Sequence, residues 1–228
     1  MARRARWIRL GRVEARELRA ACAGLCAMQA REAAPIVLWA CTESPLYGFA
    51  QEDERGYRFV VIAPRHVAPG LAARWVAWAL SPVVAAYRDF GVRAYLDGSD
   101  VCLHGRRIGG GCGEMVGHCV AITAGLDLAA SHAETSVSAP GFRAWLREGL
   151  GLALTQCASE GEAPAERAFE AALRARIEAQ HGWQFETAWP NAAERRAIDA
   201  ARASSSGLDA DPGPHAAGAS LSQADFAD

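Results

Sequence analysis

Five side chains able to hold a metal or attack an electrophile crowd one stretch of the sequence: Cys102, His104, Cys112, His118 and Cys119. A zinc site would need three or four of them converging in tetrahedral geometry. Their spacing contains no tight Cys-x2-Cys pair. Alternation along a strand over Gly117–Ala124 also sends His118 and Cys119 to opposite faces. Buried structural thiols are the expectation, with no metal, and a zinc-binding module is kept as a third option. Interleaved with these residues are an acid, Asp100, two cations, Arg106 and Arg107, and the glycines Gly105, Gly109, Gly110 and Gly111.

The elements that would carry these residues are legible in outline. Residues 98–113, GSDVCLHGRRIGGGCG, read as a hairpin in which the short strands VCL and RRI meet at His104-Gly105. Gly109–Gly113 breaks the strand pattern, and Gly117–Ala124 is a further strand. Upstream, Leu18, Cys22, Leu25 and Met28 predict an amphipathic helix over Val13–Glu32 that ends before Pro35. Ile36–Cys41 and Tyr57–Ala63 are apolar runs of strand length. Leu71, Trp75, Ala79 and Leu80 share a helix face. A second helix, Pro82–Phe90, is expected after a kink, with Ser81 as N-cap and Gly91 as the stop. VRAYL then leads into the hairpin as another short strand.

After Pro140, Phe142, Trp145, Leu146, Leu150 and Leu154 make one helix face, and Ala165, Phe169, Leu173 and Ile177 make another. Trp183, Phe185 and Trp189 are spaced for a last strand. The tryptophans at 75, 78, 145, 183 and 189 are expected in the core, as are Cys22 and Cys26, which share a helix face, and Cys157. The sum is a mixed α/β domain over 6–202, with sheet in the first half and a helical C-terminal part, followed by a disordered tail at 203–228 that is too polar to bury a core.

Composition narrows the function classes. A formal charge of −2 gives no reason to expect nucleic acid or a membrane surface as partner. The apolar stretch Val76–Tyr87 is broken by Ser81-Pro82 and is too short to span a bilayer. The basic N-terminus has no apolar core behind it, so no secretory signal is read and a cytoplasmic protein with reduced thiols is expected. The chain contains no lysine, so all 24 cationic side chains are arginine.

The hairpin resembles the signature strand pair of the biotin/lipoate protein ligase superfamily, and within it the lipoate-protein ligase and octanoyltransferase branch. That signature is Asn-Asp-aliphatic, a short turn, Gly-Arg-Lys-aliphatic, a small residue and glycine. Ser99-Asp100-Val101, Cys102-Leu103-His104, Gly105-Arg106-Arg107-Ile108 and Gly109-Gly110 follow its spacing. Weaker likenesses flank it. Trp7–Gln51 resembles the opening strand, helix and Leu-Trp strand, with Tyr47–Gln51 resembling a Gly-x-x-Gln turn. Val83–Val92 resembles the helix leading into the signature, Gly117-His118 and Val120–Leu126 the strand beyond it, and Phe142–Trp189 the helical end.

The resemblance implies a ligase-like fold with a mixed sheet flanked by helices. It also implies attachment or transfer of a lipoyl, octanoyl or biotinyl group to a lysine of a carrier-domain protein, with ATP and Mg2+ as cofactors. It places Arg107 in the cation slot and Asp100 as the acid that orients the cation or helps hold the metal. Gly105, Gly109, Gly110, Gly111 and His118 fall on the substrate-binding side, with small residues that let backbone N–H groups approach phosphate. Some octanoyltransferases of this superfamily use a thiol, which makes Cys102 and Cys112 candidate nucleophiles.

Two departures bear on activity. Arg107 stands where the family has lysine, and arginine is a broader, planar cation that keeps its proton. The Arg-Arg-x-x-Gly-Gly-Gly loop of lipoate ligases has no counterpart between Gln51 and the strand at Tyr57. The alternative to an active enzyme is therefore a degraded homologue that binds an acyl ligand or a lipoyl-domain partner without turnover.

Overall fold

The structure, a computed structural model, describes residues 3–42, 56–126 and 165–205, together with Leu128. The Tyr47–Gln51 turn, the helix from Phe142 to Leu154 with Trp145, Cys157 and most of the expected tail lie outside the described residues.

The elements in chain order are β1 (Arg3–Arg12), α1 (Ala15–Met28), β2 (Ile36–Thr42), β3 (Gly56–Pro64), α2 (Trp75–Asp89), β4 (Tyr95–Asp97), β5 (Asp100–Leu103), β6 (Arg106–Val116), β7 (Cys119–Leu126), α3 (Glu166–His181), β8 (Trp183–Thr187) and α4 (Ala192–Ser205). The strands form one eight-stranded sheet in the order β4-β5-β6-β7-β3-β2-β1-β8. β1 runs parallel to both neighbours, β2 and β8, and every other pairing is antiparallel.

Every residue of β2 is buried, which explains its unbroken apolar run: helices cover both of its faces. On one face, α2 and α3 pack over Trp7, Trp39, Phe59, Val61, Val101, Ile108, Ile122 and Leu126. On the other, α1 and α4 pack over Ile8, Ile36, Leu38, Val60, Ile62, Cys119 and Ala121. The two helices of this second layer approach so closely that a Cβ on Gly24 of α1 would lie 2.5 Å from the Ile198 backbone nitrogen in α4.

Several expectations are corrected. Trp75–Asp89 is one helix with Pro82 inside it, not two helices with Ser81 as cap. An interior proline leaves the carbonyl four residues back without its donor and costs about 3 kcal/mol. Burial of Trp75, Ala79 and Leu80 before Pro82, and of Val83, Val84, Ala86 and Tyr87 after it, holds both halves to the same core and offsets that cost. Leu71 precedes this helix and is 61% exposed. Gly91 ends the helix as expected, at φ 77°.

Gly109–Gly113 does not interrupt a strand, because it is the middle of β6, paired with β7 throughout. Gly117 and His118 form the turn before β7 rather than the start of a strand. Trp189 lies past β8 and is 73% exposed, not core. Helix α4 lies beyond the elements that periodicity marks. Its signal is Asn191–Glu194: the Asn191 side chain accepts from the Ala193 and Glu194 N–H groups, while the Asn191 N–H donates to Glu194 Oε2.

Candidate functional site

Register, rather than any single loop, assembles the site. Ala40 pairs with Arg58, Arg58 with Gly125, Gly125 with Gly110, and Gly110 with Asp100. Cross-strand partners share a face, so these five residues form one transverse row over β2, β3, β7, β6 and β5. The row lies on the α1/α4 side, as Ala40 in that core cluster fixes. The helices pack over the other end of these strands, around Cys119 and Ala121.

At the β5 end, Arg107 Nε stands 3.0 Å from Asp100 Oδ1, with both side chains about half-buried. The same Nε donates to the Gly109 carbonyl at 3.4 Å. Gly110 is the floor beneath the pair: a Cβ there would lie 2.6 Å from Asp100 Oδ1 and 2.7 Å from Arg107 Nη2. The turn that returns the chain from Asp100 to Arg107 carries φ 50° at His104 and 77° at Gly105, a left-handed pair suited to a two-residue hairpin.

Asp100, Arg107 and Gly110 are thus brought together. The flanking glycines face the other way. A Cβ on Gly109 would approach Leu126, and one on Gly111 would approach Ala124, both in the α2/α3 core. The Gly111 N–H donates to the Ser99 carbonyl at 3.0 Å, so it is spent within the sheet. His118 sits in the turn beyond Val116, six strand residues past Gly110, a separation of roughly 20 Å at strand spacing.

Cys102 lies across from Arg107 and is buried, not exposed as an attacking thiol would be. Burial raises its pKa first, Asp100 and Asp97 add to this, and Arg107 opposes them, so it is a thiol at neutral pH. Cys112 is exposed, against the expectation of a buried structural thiol. Cys119 is buried and pushed up to about 11 by desolvation and then by Cys26. Cys26 is raised by its hydrogen bond to Cys22 and by burial. Among the described residues, no group of three or more His, Cys, Asp or Glu side chains is placed to hold a metal ion.

Periodicity alone does not reveal Arg58, the third residue of β3, which is 3% exposed. A Cβ on its partner Gly125 would collide with the Arg58 guanidinium, and one on Gly56 would come within 3.0 Å of Nη2. The signal available in the sequence is a lone arginine inside the apolar run GYRFVVIA. A separate cleft of about 530 Å³ opens on the α2/α3 side and is lined by Arg9, Arg12, Cys41, Tyr57, Glu166 and Trp189. None of the candidate site residues named from the sequence lines it.

No protein-family profile matches the sequence, and no curated protein matches it. Solved structures do match. A bipartite lipoate protein ligase of Thermoplasma acidophilum, described with its E2 lipoyl domain, superposes with a TM-score of 0.61 at 13% identity over 88% of this chain and 92% of that one. A putative lipoate protein ligase from the same organism with bound lipoic acid gives 0.59 at 10% identity, covering 86% and 94%. A lipoate-protein ligase A bound with ATP gives 0.59 at 10% identity, covering 88% and 94%. The chain has the fold of the lipoate-protein ligases, as the hairpin resemblance implies. That fold is a mixed sheet flanked by helices on both faces. No helix among the described residues is long and apolar enough to cross a membrane.

Proposed function

We propose that this protein attaches or transfers a lipoyl or octanoyl group to a lysine of a small carrier domain in the cytoplasm, with Arg107 as the cation beside the acyl carboxylate. A biotinyl group would require the same chemistry on a related carrier. The observation that carries this reading is the Arg107–Asp100 pair over Gly110, on the sheet face of a fold shared with lipoate-protein ligases.

In the ATP-dependent form of the reaction, the acyl carboxylate attacks the α-phosphorus and pyrophosphate leaves. The carrier lysine amine then attacks the acyl carbonyl and releases AMP. Negative charge on the phosphate oxygens rises in both steps, and a fixed guanidinium offers it two parallel donors. Asp100 holds Nε and so fixes the plane of the guanidinium that the ligand would meet. Mg2+ in such sites is held by one or two carboxylates plus the nucleotide phosphates. Asp100 is the carboxylate of this row, so the metal would enter with the nucleotide.

One observation favours a second reading, an acyl-binding homologue without turnover. Arg107 replaces the family lysine and is anchored to Asp100, and a planar cation fixed in this way follows a moving phosphate less freely than a lysine on a flexible stem.

Mass spectrometry of a lipoyl domain incubated with the protein, octanoate or lipoate, ATP and Mg2+ tests the first reading, with acylated carrier protein as the alternative donor. An acyl adduct that disappears in Arg107→Ala is expected. No adduct with any donor sinks the catalytic reading. In that case, thermal stabilisation by octanoate or lipoate but not by ATP identifies the binding form.

A further inference from the structure

The cleft at the end of β1 takes no part in the site described above. It lies at the carboxyl ends of the parallel neighbours β1 and β2, where α3 also begins, at Glu166. Crevices at the carboxyl ends of parallel strands are where α/β folds hold ligands. The end of β1 is shaped to form this one. β1 slips by one residue against β2 between Arg9 and Gly11, with φ 74° at Gly11. Without the slip, Arg9 and Arg12 would point to opposite faces of the sheet. With it, their partners are Trp39 and Cys41, which share a face. A Cβ on Gly11 would meet no atom within 4 Å, so the strand end opens onto free volume.

The lining combines flat aromatic surface with one neutralised ion pair. Trp189 leaves most of its indole in solvent at the cleft, and Tyr57 is backed by Trp39, stacked 5.9 Å behind it. Arg9 donates from Nη2 to Glu166 Oε1 at 2.6 Å, and its Nε lies 3.2 Å from Glu170 Oε2. Arg9 Nη1 and Glu166 Oε2 have no partner among the described residues. Both side chains remain about one-third exposed. The pair therefore offers an N–H donor beside a carboxylate acceptor. A guanidinium already held by two carboxylates gives an anion little to gain. A neutral ring edge with a donor next to an acceptor matches both open positions, as amide side chains match the edge of adenine.

We infer that this cleft binds a neutral, flat heteroaromatic ring of the aminopurine class, stacked on Trp189 and hydrogen-bonded to Arg9 and Glu166. The amino group donates to Glu166 Oε2, and the adjacent ring nitrogen accepts from Arg9 Nη1. A volume of about 530 Å³ holds such a ring with a sugar attached. The site is separate from the Arg107 floor, because it opens on the opposite face of the sheet. Gly11 also stands four strands from Gly110 in the sheet order, roughly 19 Å at strand spacing. The inference does not depend on acyl transfer.

Adenosine is the probe, since it carries the ring edge and has no phosphate to offer Arg107. In protein labelled with 5-fluorotryptophan, the 19F resonance that Trp189→Phe removes belongs to Trp189, and adenosine should shift it to saturation. Isothermal titration should show about tenfold weaker binding to Trp189→Ala, the loss of one stacking surface. Trp189 is exposed, so this variant keeps the core intact. Purine riboside, which lacks the amino group, should bind the wild type about tenfold more weakly than adenosine. Arg107→Gln should bind adenosine as the wild type does.

No adenosine binding, wild-type affinity in Trp189→Ala, or equal affinity for purine riboside overturns the inference. So does binding that is lost in Arg107→Gln, which would place the ring on the other face. The two readings fail separately. A protein that binds adenosine through Trp189 and transfers no acyl group keeps the cleft and loses the ligase reading. One that transfers acyl groups and binds no adenosine does the reverse.

Discussion

Gly110 is where sequence and chemistry meet most tightly. Nothing about its own backbone demands glycine. The demand comes from Asp100 and Arg107, whose ends occupy the volume a methyl group would take. Both ends are flexible and half-exposed, so Gly110→Ala should fold and lose only about 1–3 kcal/mol, as overpacked sites do. Its ligand-dependent thermal shift should disappear, because the pair can no longer lie over the strand. A variant that keeps the full ligand shift would show that the pair need not be in this position.

His181 makes a different residue-scale argument. Its ring stacks on Trp78 at 4.5 Å and tilts against Trp183 at 5.1 Å. Burial in that sandwich lowers its pKa from 6.5 to about 4. The unfolded chain therefore takes up a proton near 6.5 that the folded chain refuses until about 4. Stability must fall as pH drops through that window and level off below it. Thermal melts between pH 7 and 4 should show this loss in the wild type and a shallower slope in His181→Phe, which keeps the stack without the proton. Equal slopes would place the acid sensitivity elsewhere.

At the scale of elements, the second helical layer depends on contacts that no helix propensity encodes. Gly24→Ala places a methyl carbon against the Ile198 backbone. Backbone gives way less readily than a side-chain end, so the cost should reach about 1–3 kcal/mol despite the better helix former. A chemical-denaturation midpoint lowered without a change in slope would register it.

Glu194 ties the start of α4 to β1, meeting Arg6 with both oxygens at 2.5 and 3.0 Å while also accepting from the Asn191 N–H. Arg6 and the Asn191 N–H both hold this carboxyl below its ordinary range. Its contribution is therefore present above the unfolded carboxylate value and lost as pH falls through the folded one. Glu194→Gln should cost about 1–3 kcal/mol at neutral pH, the loss expected when the charged acceptor of a part-buried pair is removed. It should also lose less stability on acidification than the wild type.

The elements show which parts of the structure the sequence could reveal. Ile36–Thr42 and Gly56–Pro64 were legible because full burial leaves an unbroken apolar run, and the hairpin was legible because its turn chemistry is local. Pro82 misled because a local breaker was overruled by burial on both sides of it. The β6 glycines misled because turn-like composition concealed a strand whose pairing partners supply all its regularity. Asp100 and Arg107 are candidates only through the hairpin's resemblance to a family signature, and the structure sets them beside each other. Arg58 could not be read in this way, because its neighbours in the row are 18 to 67 residues away in the chain and register alone joins them.

Over the whole molecule, the C-terminal segment closes what the N-terminal segment opens. β8 pairs with β1 from Arg3–Trp183 to Trp7–Thr187, so the last strand protects an edge that the first strand would otherwise expose. Trp183 and Phe185 enter the α2/α3 core from this strand, with Phe185 edge-on to Trp7 at 5.2 Å. α4 contributes to the opposite layer, through Ile198 and the Glu194–Arg6 pair. Two truncations should therefore fail to different degrees. A chain stopped after Ala188 keeps β8 and the larger core but bares the surface beneath α4. It should retain native near-UV circular dichroism, bind a hydrophobic dye and unfold at a lower temperature. A chain stopped after Gly182 loses two buried aromatics and the pairing of β1, each buried aromatic being worth about 3–5 kcal/mol. Those losses exceed what a domain of ordinary stability can absorb, so this chain should lack near-UV signal and aggregate. Equal behaviour of the two truncations would mean that α4, rather than β8, closes the fold.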